Sequence, residues 1–296
     1  MFSRLGSYDS GATRQANNLW SALPLVESVV TQQPLGLMMD VDGTIVEIAS
    51  APWQARLPAK VRRLLTSLCK RSAVVAAISG RRAAEVEEIM RVKRMLYFGN
   101  HGLENRQDGF SKTELRGVQR IRESIVEARE GLQERLGKMP GVILEDKELA
   151  VAVHYRRSLE PDRIRDIAPE EAERLAIPMG LTVKTGKMVV EICPKQASKG
   201  WAVTRLIRRF NLCGAIYLGD DRTDIDAFQA LNSLKKKRFR GLAVAVRSGE
   251  SPEGLLNVAD LYLDGVSEVV KFLQWLDRRL NESGSSDPLS GGGASV

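Results

Sequence analysis

Two aspartates, Asp40 and Asp42, stand two residues apart directly after the apolar run of residues 35–39. Because alternate residues of a strand share a face, both carboxylates would project from the strand's carboxyl end into one pocket, where open α/β sheets bind ligands. Two carboxylates there repel unless a cation or a shared proton separates them, which suits a nucleophile, a proton carrier and a divalent ion. Gly43 allows a sharp turn, and the Thr44 hydroxyl can donate to an anion. The alternative is a plain Asp-Gly turn with two solvated acids.

Two further polar residues stand where anions are often bound. Ser79 follows the apolar run of residues 73–78 and precedes a helical stretch, and a hydroxyl beside the free N–H groups of a helix N-terminus can hold an anion. Taken alone, such a serine is more often a helix cap. Lys199 opens another helical stretch, where a single lysine is ordinarily a solvated charge. Both residues therefore depend on their neighbours for a functional interpretation.

Three acids, Asp220, Asp221 and Asp224, follow a third apolar run at residues 214–218. Three carboxylates at one strand end are costly without a compensating cation, so the cluster predicts a Mg²⁺ site. The alternative is an acidic first helical turn favoured by the helix dipole. That alternative explains one or two of the acids better than all three.

The elements that position these groups are buried strands and helices, interrupted by an insertion from about residue 111 to 194. The insertion contains in turn a charged helix at 113–136, strand-like runs at 142–145 and 149–155, a helix at 162–175, and strand-like runs at 181–184 and 188–192. Helix, hairpin, helix, hairpin predicts a four-stranded antiparallel sheet covered by two helices. Because the insertion lies between Ser79 and Lys199, its linkers join the core beside the pocket, and it can close over a substrate.

These patterns divide the chain into four parts. They are an N-terminal extension (1–31), a core (32–110 and 195–281), an inserted cap domain (111–194) and a flexible tail (282–296). The first thirty or so residues are expected to be irregular, although residues 19–23 could dock as a short helix. The tail is expected to be flexible because its Ser-rich and Gly-rich stretches have few apolar residues to bury.

Composition narrows the class of protein. The chain has 296 residues, 43% of them hydrophobic, which is enough for a large core. Cys69, Cys193 and Cys213 are widely spaced, which predicts reduced thiols in a cytoplasmic protein. The sequence shows no signal peptide and no apolar run of about 18 residues, so no membrane partner is expected. The net charge is +7, but basic residues alternate with acids and aromatics are scarce, which disfavours nucleic acid and suits an anionic sugar phosphate.

The ordered set Asp-x-Asp-Gly-Thr, Ser, Lys and Gly-Asp-Asp resembles the haloacid dehalogenase-like phosphatase superfamily. The resemblance implies an α/β fold: a doubly wound, Rossmann-like core with an inserted α+β cap of αββαββ order. It implies that Asp40 attacks phosphorus to form an aspartyl-phosphate, while Asp42 protonates the leaving alcohol and later takes a proton from water. Ser79 and Lys199 would hold the phosphoryl oxygens, in line with the need of phosphoryl transfer for positioning and charge neutralisation.

The same resemblance implies the cofactor. Mg²⁺ would lie between Asp40, the backbone carbonyl of Asp42 and Asp220, with Asp221 and Asp224 completing the acidic metal site.

Longer motifs, most of them outside the pocket, narrow the resemblance to trehalose-6-phosphate phosphatases. They lie at residues 99–104, 145–147, 153–156, 186–191 and 219–224. Carried over by position, Lys147, Lys187 and Glu191 would contact trehalose hydroxyls, and His101 with Glu104 would line the cleft between core and cap. The full set of implied substrate-binding residues is Thr44, Arg81, His101, Glu104, Lys147, Lys187 and Glu191.

Several single residues keep a second interpretation. Glu191 lies on an otherwise apolar strand, where a ligand contact and a salt bridge explain a buried acid equally well. Lys147 and Lys187 lie in hairpin turns, where lysine is usually exposed. His154 is expected to be a hydrogen-bonded packing residue and is given no role. Cys193 stands where this family usually has an arginine, which could alter a sugar or hinge contact.

Three functions are therefore compared. The first is Mg²⁺-dependent hydrolysis of trehalose 6-phosphate, with possible functional coupling to a trehalose-6-phosphate synthase. The second is the same chemistry on another sugar phosphate, either as a phosphatase or as a phosphomutase. The third is a non-catalytic domain that binds a sugar phosphate and regulates a partner, which the intact acids Asp40, Asp42 and Asp220 disfavour.

Overall fold

The structure, a computed structural model, describes residues 16–49, 51–105, 118–235 and 238–284. Eight strands form its larger sheet: Asn17–Asn18 (β1), Leu35–Met39 (β2), Val74–Ile78 (β3), Leu96–Gly99 (β4), Glu104–Asn105 (β5), Gly214–Gly219 (β10), Arg240–Arg247 (β11) and Leu261–Asp264 (β12). Their order in space is β1-β12-β11-β10-β2-β3-β4-β5. Neighbouring strands are parallel except for β4 and β5.

Helices cover both faces of this sheet. The central strands β2 and β3 are therefore buried at every residue. One face carries Leu23–Val30 (α1), Ala59–Arg71 (α2), Ala83–Met90 (α3) and Gly265–Gly284 (α9). The other carries Lys199–Arg209 (α6), Asp224–Leu234 (α7) and Leu255–Val258 (α8). This is a doubly wound α/β core, as predicted.

Four strands between β5 and α6 form a second, antiparallel sheet. They are Ile143–Asp146 (β6), Val151–His154 (β7), Leu181–Gly186 (β8) and Val189–Pro194 (β9), in the order β6-β7-β9-β8. Helices Val118–Arg135 (α4) and Pro161–Ala176 (α5) pack on one face through buried residues such as Leu132 and Ile164. The predicted αββαββ order is confirmed, and we call this unit the cap.

The amino-terminal part differs from the expectation of irregular structure. From residue 16 onward it supplies the edge strand β1, a short 3₁₀ helix at Leu19–Ala22 and α1, whose Val26 and Val29 join the core. The expectation of irregular structure is therefore wrong for this stretch, because its apolar residues pack on the sheet. The expected short docked helix at residues 19–23 is confirmed as the 3₁₀ helix Leu19–Ala22, whose Leu19 is buried in the core. Residues 1–15 lie outside the described residues, as do the start of the predicted first cap helix (113–117), the core–cap boundary at 110/111 and residues 285–296 of the predicted tail. The domain boundaries remain predictions.

The helices of the described ranges include none that is long and apolar enough to cross a membrane.

The parallel strands β2, β3 and β10 end level with one another. Met39 pairs with Leu218 on one side and with Ala77 on the other, and the Asp40 N–H donates to the Leu218 carbonyl at 2.9 Å. The residues that follow these strands therefore meet at one edge of the sheet, where ligands of open α/β sheets bind.

Candidate active site

Asp40 and Lys199 form a buried ion pair at the end of β2. Lys199 Nζ lies 2.8 Å from Asp40 Oδ1 and 2.8 Å from Asp224 Oδ1. Although burial alone would lower the pKa of Lys199, the carboxylates of Asp224 and Asp40 raise it, so the ammonium stays charged. A fixed ammonium beside a carboxylate can hold an anionic oxygen close to that carboxylate.

Asp224 holds two parts of this site together. Its Oδ1 accepts from Lys199 Nζ and from the Tyr217 hydroxyl at 2.7 Å, and its Oδ2 accepts the N–H groups of Asp220 at 3.0 Å and Asp221 at 2.9 Å. Asp224 is fully buried. It therefore positions both Lys199 and the loop that carries the neighbouring acids.

Asp220 is oriented by groups from three other segments. Its Oδ1 accepts from Thr44 Oγ1 at 2.8 Å, and its Oδ2 lies 2.5 Å from Lys187 Nζ of the cap. Gly43 has a φ of +84°, and a Cβ there would lie 2.1 Å from Asp220 Oδ2. Only glycine allows the loop after Asp42 to approach this carboxylate so closely.

The acids form a set that fits a divalent cation. One carboxylate oxygen from each of Asp40, Asp220 and Asp224 lies within 4.8 Å of the others. Burial and the neighbouring acids raise the pKa of Asp40 well above its usual value, against the opposing effect of Lys199. Burial and Asp224 raise the pKa of Asp220 to about 6, against the opposing effect of Lys187. Buried carboxylates in this state are stabilised by a cation, and an all-oxygen set suits Mg²⁺.

Asp42 and Arg81 form a bidentate ion pair. Arg81 Nε lies 2.6 Å from Asp42 Oδ2, and Arg81 NH2 lies 2.8 Å from Asp42 Oδ1. The backbone N–H of Arg81 donates to Ser79 Oγ at 3.2 Å. Ser79 is buried directly after β3, while α3 begins four residues later with Arg82 at its N-cap. Ser79 is therefore not the cap of α3, and its hydroxyl hydrogen can be donated to a bound oxyanion.

Glu191 connects the cap to the core. Its Oε1 lies 3.0 Å from His101 Nε2, and its Oε2 pairs with Lys147 Nζ, which also donates to the Gly80 carbonyl at 3.0 Å. Although burial alone would raise the pKa of Glu191, Lys147 and His101 hold it well below its usual range. Burial lowers the pKa of His101 to about 4, so the imidazole is neutral at pH 7 and must donate from Nε2 to the carboxylate.

The segment that presents His101 is held in an unusual backbone conformation. Asn100 and His101 both have positive φ values, 47° and 54°. Glu104 stabilises this turn by accepting from the Asn100 side chain and from the Ala83 N–H at 3.2 Å. Sparsely populated conformations of this kind concentrate at functional sites, where the surroundings fix them.

Most predicted site residues line one cleft between the core and the cap: Asp40, Asp42, Ser79, Arg81, His101, Lys147, Lys187, Glu191, Lys199, Asp220 and Asp221. Three predicted residues instead hold other members of the set. Thr44 donates to Asp220, Glu104 supports the His101 turn, and Asp224 aims Lys199. The structure places Lys187 against Asp220 and the Ser248 hydroxyl (3.2 Å) rather than beside Glu191.

Several residues at the site were not predicted from the sequence. Tyr217 was missed, although a tyrosine within an apolar strand needs a partner for its hydroxyl, which is a readable signal. His154 was given no role, yet it lines the cleft with Glu145 and Arg156, and its Nε2 lies 2.6 Å from Glu145 Oε2. The alternation of side chains along β7 places His154 and Ala152 on the same face of the strand, but it does not indicate which face borders the cleft.

The chain has clear relatives. The trehalose-phosphatase family model matches residues 38–260. A trehalose-phosphate phosphatase of Mycobacterium tuberculosis (strain ATCC 25618 / H37Rv) is 32% identical over 271 residues, which are 88% of this chain and 66% of that protein. The trehalose-phosphate phosphatase of Mycobacterium leprae (strain TN) is 31% identical over 273 residues, 88% of this chain and 61% of that protein.

Solved structures show the same fold. The C-terminal domain of trehalose-6-phosphate phosphatase from C. albicans matches with a TM-score of 0.78 at 23% identity, over 89% of this chain and 99% of that domain. The chain spans between 20% and 66% of the length of the first curated relatives that it matches. The family match nevertheless covers most of the chain, including β2, β3, the cap and β10. The predicted family is thus confirmed: the chain belongs to the trehalose-phosphatase family.

Proposed function

We propose that this protein is a Mg²⁺-dependent phosphatase that hydrolyses trehalose 6-phosphate to trehalose and phosphate through an aspartyl-phosphate on Asp40. The observation that carries the proposal is the meeting of Asp40, Asp42, Ser79 and Lys199 in one cleft whose opposite wall is the cap. Phosphoryl transfer requires a nucleophile, a proton carrier and cations at the phosphoryl oxygens, and these four side chains supply the first two and part of the third.

The first step forms the covalent intermediate. A carboxylate oxygen of Asp40 attacks phosphorus, the bond from phosphorus to the sugar oxygen breaks, and that oxygen takes the proton carried by Asp42. Lys199 and Ser79 hold the phosphoryl oxygens while Asp224 keeps the lysine in place. When bound, Mg²⁺ would neutralise charge on the phosphoryl group. Asp40, the Asp42 carbonyl and Asp220 would hold it.

The second step regenerates the enzyme. A water oxygen attacks phosphorus, its proton passes to the Asp42 carboxylate, and the bond between phosphorus and Asp40 breaks to release phosphate. The proton taken from water thus replaces the one that Asp42 gave to the sugar oxygen, and Asp42 ends the cycle protonated, as it began.

The sugar-reading role is assigned to the cap side of the cleft. Glu191, Lys147 and His101 form a buried polar group there, and Lys187 enters beside Asp220. Such remote contacts supply binding energy that orients the phosphate and excludes water. A cytoplasmic location and coupling to a synthase are further proposals that follow from the family alone.

The test is phosphate release from trehalose 6-phosphate, glucose 6-phosphate and sucrose 6-phosphate, with Mg²⁺ and after chelation. We expect activity on trehalose 6-phosphate that chelation abolishes and Mg²⁺ restores. Asp40→Asn should lose activity by roughly three orders of magnitude or more, because an amide cannot act as the nucleophile. Asp264→Asn, an exposed acid paired with Arg247, is the matched control.

Each alternative has its own result. Preference for another sugar phosphate, or transfer of the phosphoryl group back to a sugar, would replace the substrate assignment and keep the chemistry. Binding without turnover would favour a regulatory domain. Retention of more than a few per cent of activity by Asp40→Asn would remove the covalent mechanism.

A further inference from the structure

Arg81 is the side chain that determines the direction of the Asp42 carboxylate. Its guanidinium contacts both carboxylate oxygens, at 2.6 and 2.8 Å, and the two side chains are 12% and 30% exposed. A planar fork that meets both oxygens fixes the plane of the carboxylate as well as its distance, which a single hydrogen bond does not. The pair is partly buried, so solvent competes less for it than at a surface.

The backbone of Asp42 does not provide that direction by itself. Asp42 lies beyond the end of β2, in a turn closed by the Gly43 N–H on the Val46 carbonyl at 2.7 Å. A carboxylate on such a turn can occupy several rotamers. A specific partner is needed to select one of them.

Arg81 itself is presented from a fixed segment. Its N–H donates to Ser79 Oγ, and its carbonyl accepts from the Asn100 N–H at 2.8 Å. Gly99 packs so closely that a Cβ there would lie 2.7 Å from the Arg81 carbonyl oxygen. The guanidinium therefore extends from a rigid backbone next to the serine proposed to hold the phosphate.

We infer that Arg81 is a positioning residue for proton transfer: it holds the Asp42 carboxyl group, which carries the proton to be transferred, towards the oxygen that leaves phosphorus, and it is not primarily a contact to the sugar. The inference rests on the proposed phosphatase function. Arg81 acts through Asp42 and takes no proton itself. Lysine cannot replace it, because an ammonium has no fork to match two oxygens.

The experiment compares aryl phosphates that carry no sugar. Phenyl phosphate has a poor leaving group that needs a proton to depart. The leaving group of p-nitrophenyl phosphate is intermediate, and that of 2,4-dinitrophenyl phosphate departs without a proton. The measured quantity is kcat/KM, which reports steps up to departure of the leaving group and not the later hydrolysis of the intermediate. The variants are Arg81→Lys, Arg81→Gln and Asp42→Asn.

We expect Arg81→Lys to lose roughly a hundredfold in kcat/KM on phenyl phosphate, the effect of a misplaced catalytic group. On 2,4-dinitrophenyl phosphate the loss should be less than about threefold, because general acid catalysis contributes little there. Asp42→Asn should show the same trend across the series. The double variant Arg81→Gln/Asp42→Asn should lose no more than Asp42→Asn alone, since both changes remove one function.

Three results would overturn the inference. An equal loss on all three aryl phosphates would make Arg81 a phosphate contact. A loss on trehalose 6-phosphate with none on any aryl phosphate would make it a sugar contact. Additive losses in the double variant would separate Arg81 from Asp42.

Controls keep the two proposals distinct. Arg91→Gln, an exposed arginine near the end of α3, should match the wild type. Thermal unfolding of Arg81→Lys tests whether the variant folds, and Arg81→Gln provides a second, uncharged readout. A wild type that hydrolyses aryl phosphates with the expected trend but ignores trehalose 6-phosphate would refute the proposed substrate and leave the role of Arg81 standing. A wild type inactive on every phosphate would refute the proposed function itself, and the inference with it.

Discussion

Replacement of Glu191 by alanine should affect both the stability of the protein and its recognition of the sugar. The carboxylate lies between the neutral imidazole of His101 and the ammonium of Lys147, and its side chain is only 6% exposed. Although burial alone would lower the pKa of Lys147, Glu191 and Glu145 raise it and keep the lysine charged. Without Glu191, the Lys147 ammonium retains two partners, the Gly80 carbonyl and the Glu145 carboxylate, which lies 4.0 Å away.

The expected magnitude follows from this geometry. Removing one partner of a buried ion pair costs about 3–5 kcal/mol, because the other charge stays buried. At about 2–4 °C per kcal/mol, the range for domains of 150–250 residues, the Tm should fall by roughly 6–20 °C. If Glu191 also binds a sugar hydroxyl, kcat/KM for trehalose 6-phosphate should fall about tenfold to a hundredfold further than for p-nitrophenyl phosphate, as expected for one or two lost charged hydrogen bonds.

The assay combines thermal unfolding with kcat/KM on both substrates. Glu170→Ala is the matched control, because its exposed pair with Arg174 in the cap should contribute no more than about 1 kcal/mol. The double variant Glu191→Ala/Lys147→Met removes both charges and should recover most of the lost stability without recovering hydrolysis of the sugar phosphate. An unchanged Tm would refute the structural part of this reasoning. Equal kinetic losses on the two substrates would refute the recognition part.

Three further predictions concern the rest of the site. Burial lowers the pKa of His101 to about 4, so the contribution of the neutral imidazole to stability is complete above pH 6.5 and is lost as the pH falls towards 4. Across this range, the unfolding free energy measured with urea should fall by about 1.4 kcal/mol per pH unit more in the wild type than in His101→Asn. Parallel curves for the two proteins would contradict this. Tyr217→Phe should cost about 0.5–1.5 kcal/mol of unfolding free energy and Asp224→Asn about 3–5 kcal/mol, because only the second removes one of the two carboxylates that pair with Lys199; equal costs would be inconsistent with the Asp224 contacts. Lys187→Met should tighten Mg²⁺ binding at least about tenfold by calorimetry, since a like charge near one carboxylate costs on the order of 1–4 kcal/mol, and unchanged affinity would show that Lys187 and the ion do not compete.

Local sequence pattern was sufficient to place the candidate site residues at the ends of strands. Asp40, Ser79 and Asp220 each follow a buried apolar run, and parallel strands bring their carboxyl ends to one edge of the sheet. The cap was equally readable, because alternating runs joined by short turns predict hairpins. The positions of these elements along the chain depend on the periodicity of apolar residues and on the order of the elements, and a single sequence contains both.

The partners of the polar side chains were not readable in the same way. Arg81 meets Asp42 across 39 positions of the chain, and Lys187 meets Asp220 across 33. The first pair depends on which rotamers the packing of the core allows, and the second depends on how the cap lies on the core. Thr44 illustrates the result: its hydroxyl was predicted to bind an anion from the substrate and instead donates to a buried acid of the protein.

Glu191 shows why a ligand contact and a salt bridge need not exclude each other. The sequence left both interpretations open, and the structure contains the salt bridge, with one protein partner at each carboxylate oxygen. A carboxylate has about four lone-pair sites, so both oxygens retain capacity to accept from a sugar hydroxyl. His101 and Lys147 would then keep Glu191 charged and oriented towards the cleft before substrate arrives, which lowers the cost of ordering it on binding. Replacing Lys147 together with Glu191 therefore distinguishes structural support from recognition, because it removes the penalty of an unpaired buried charge and leaves only the loss of the proposed sugar contacts of these two residues.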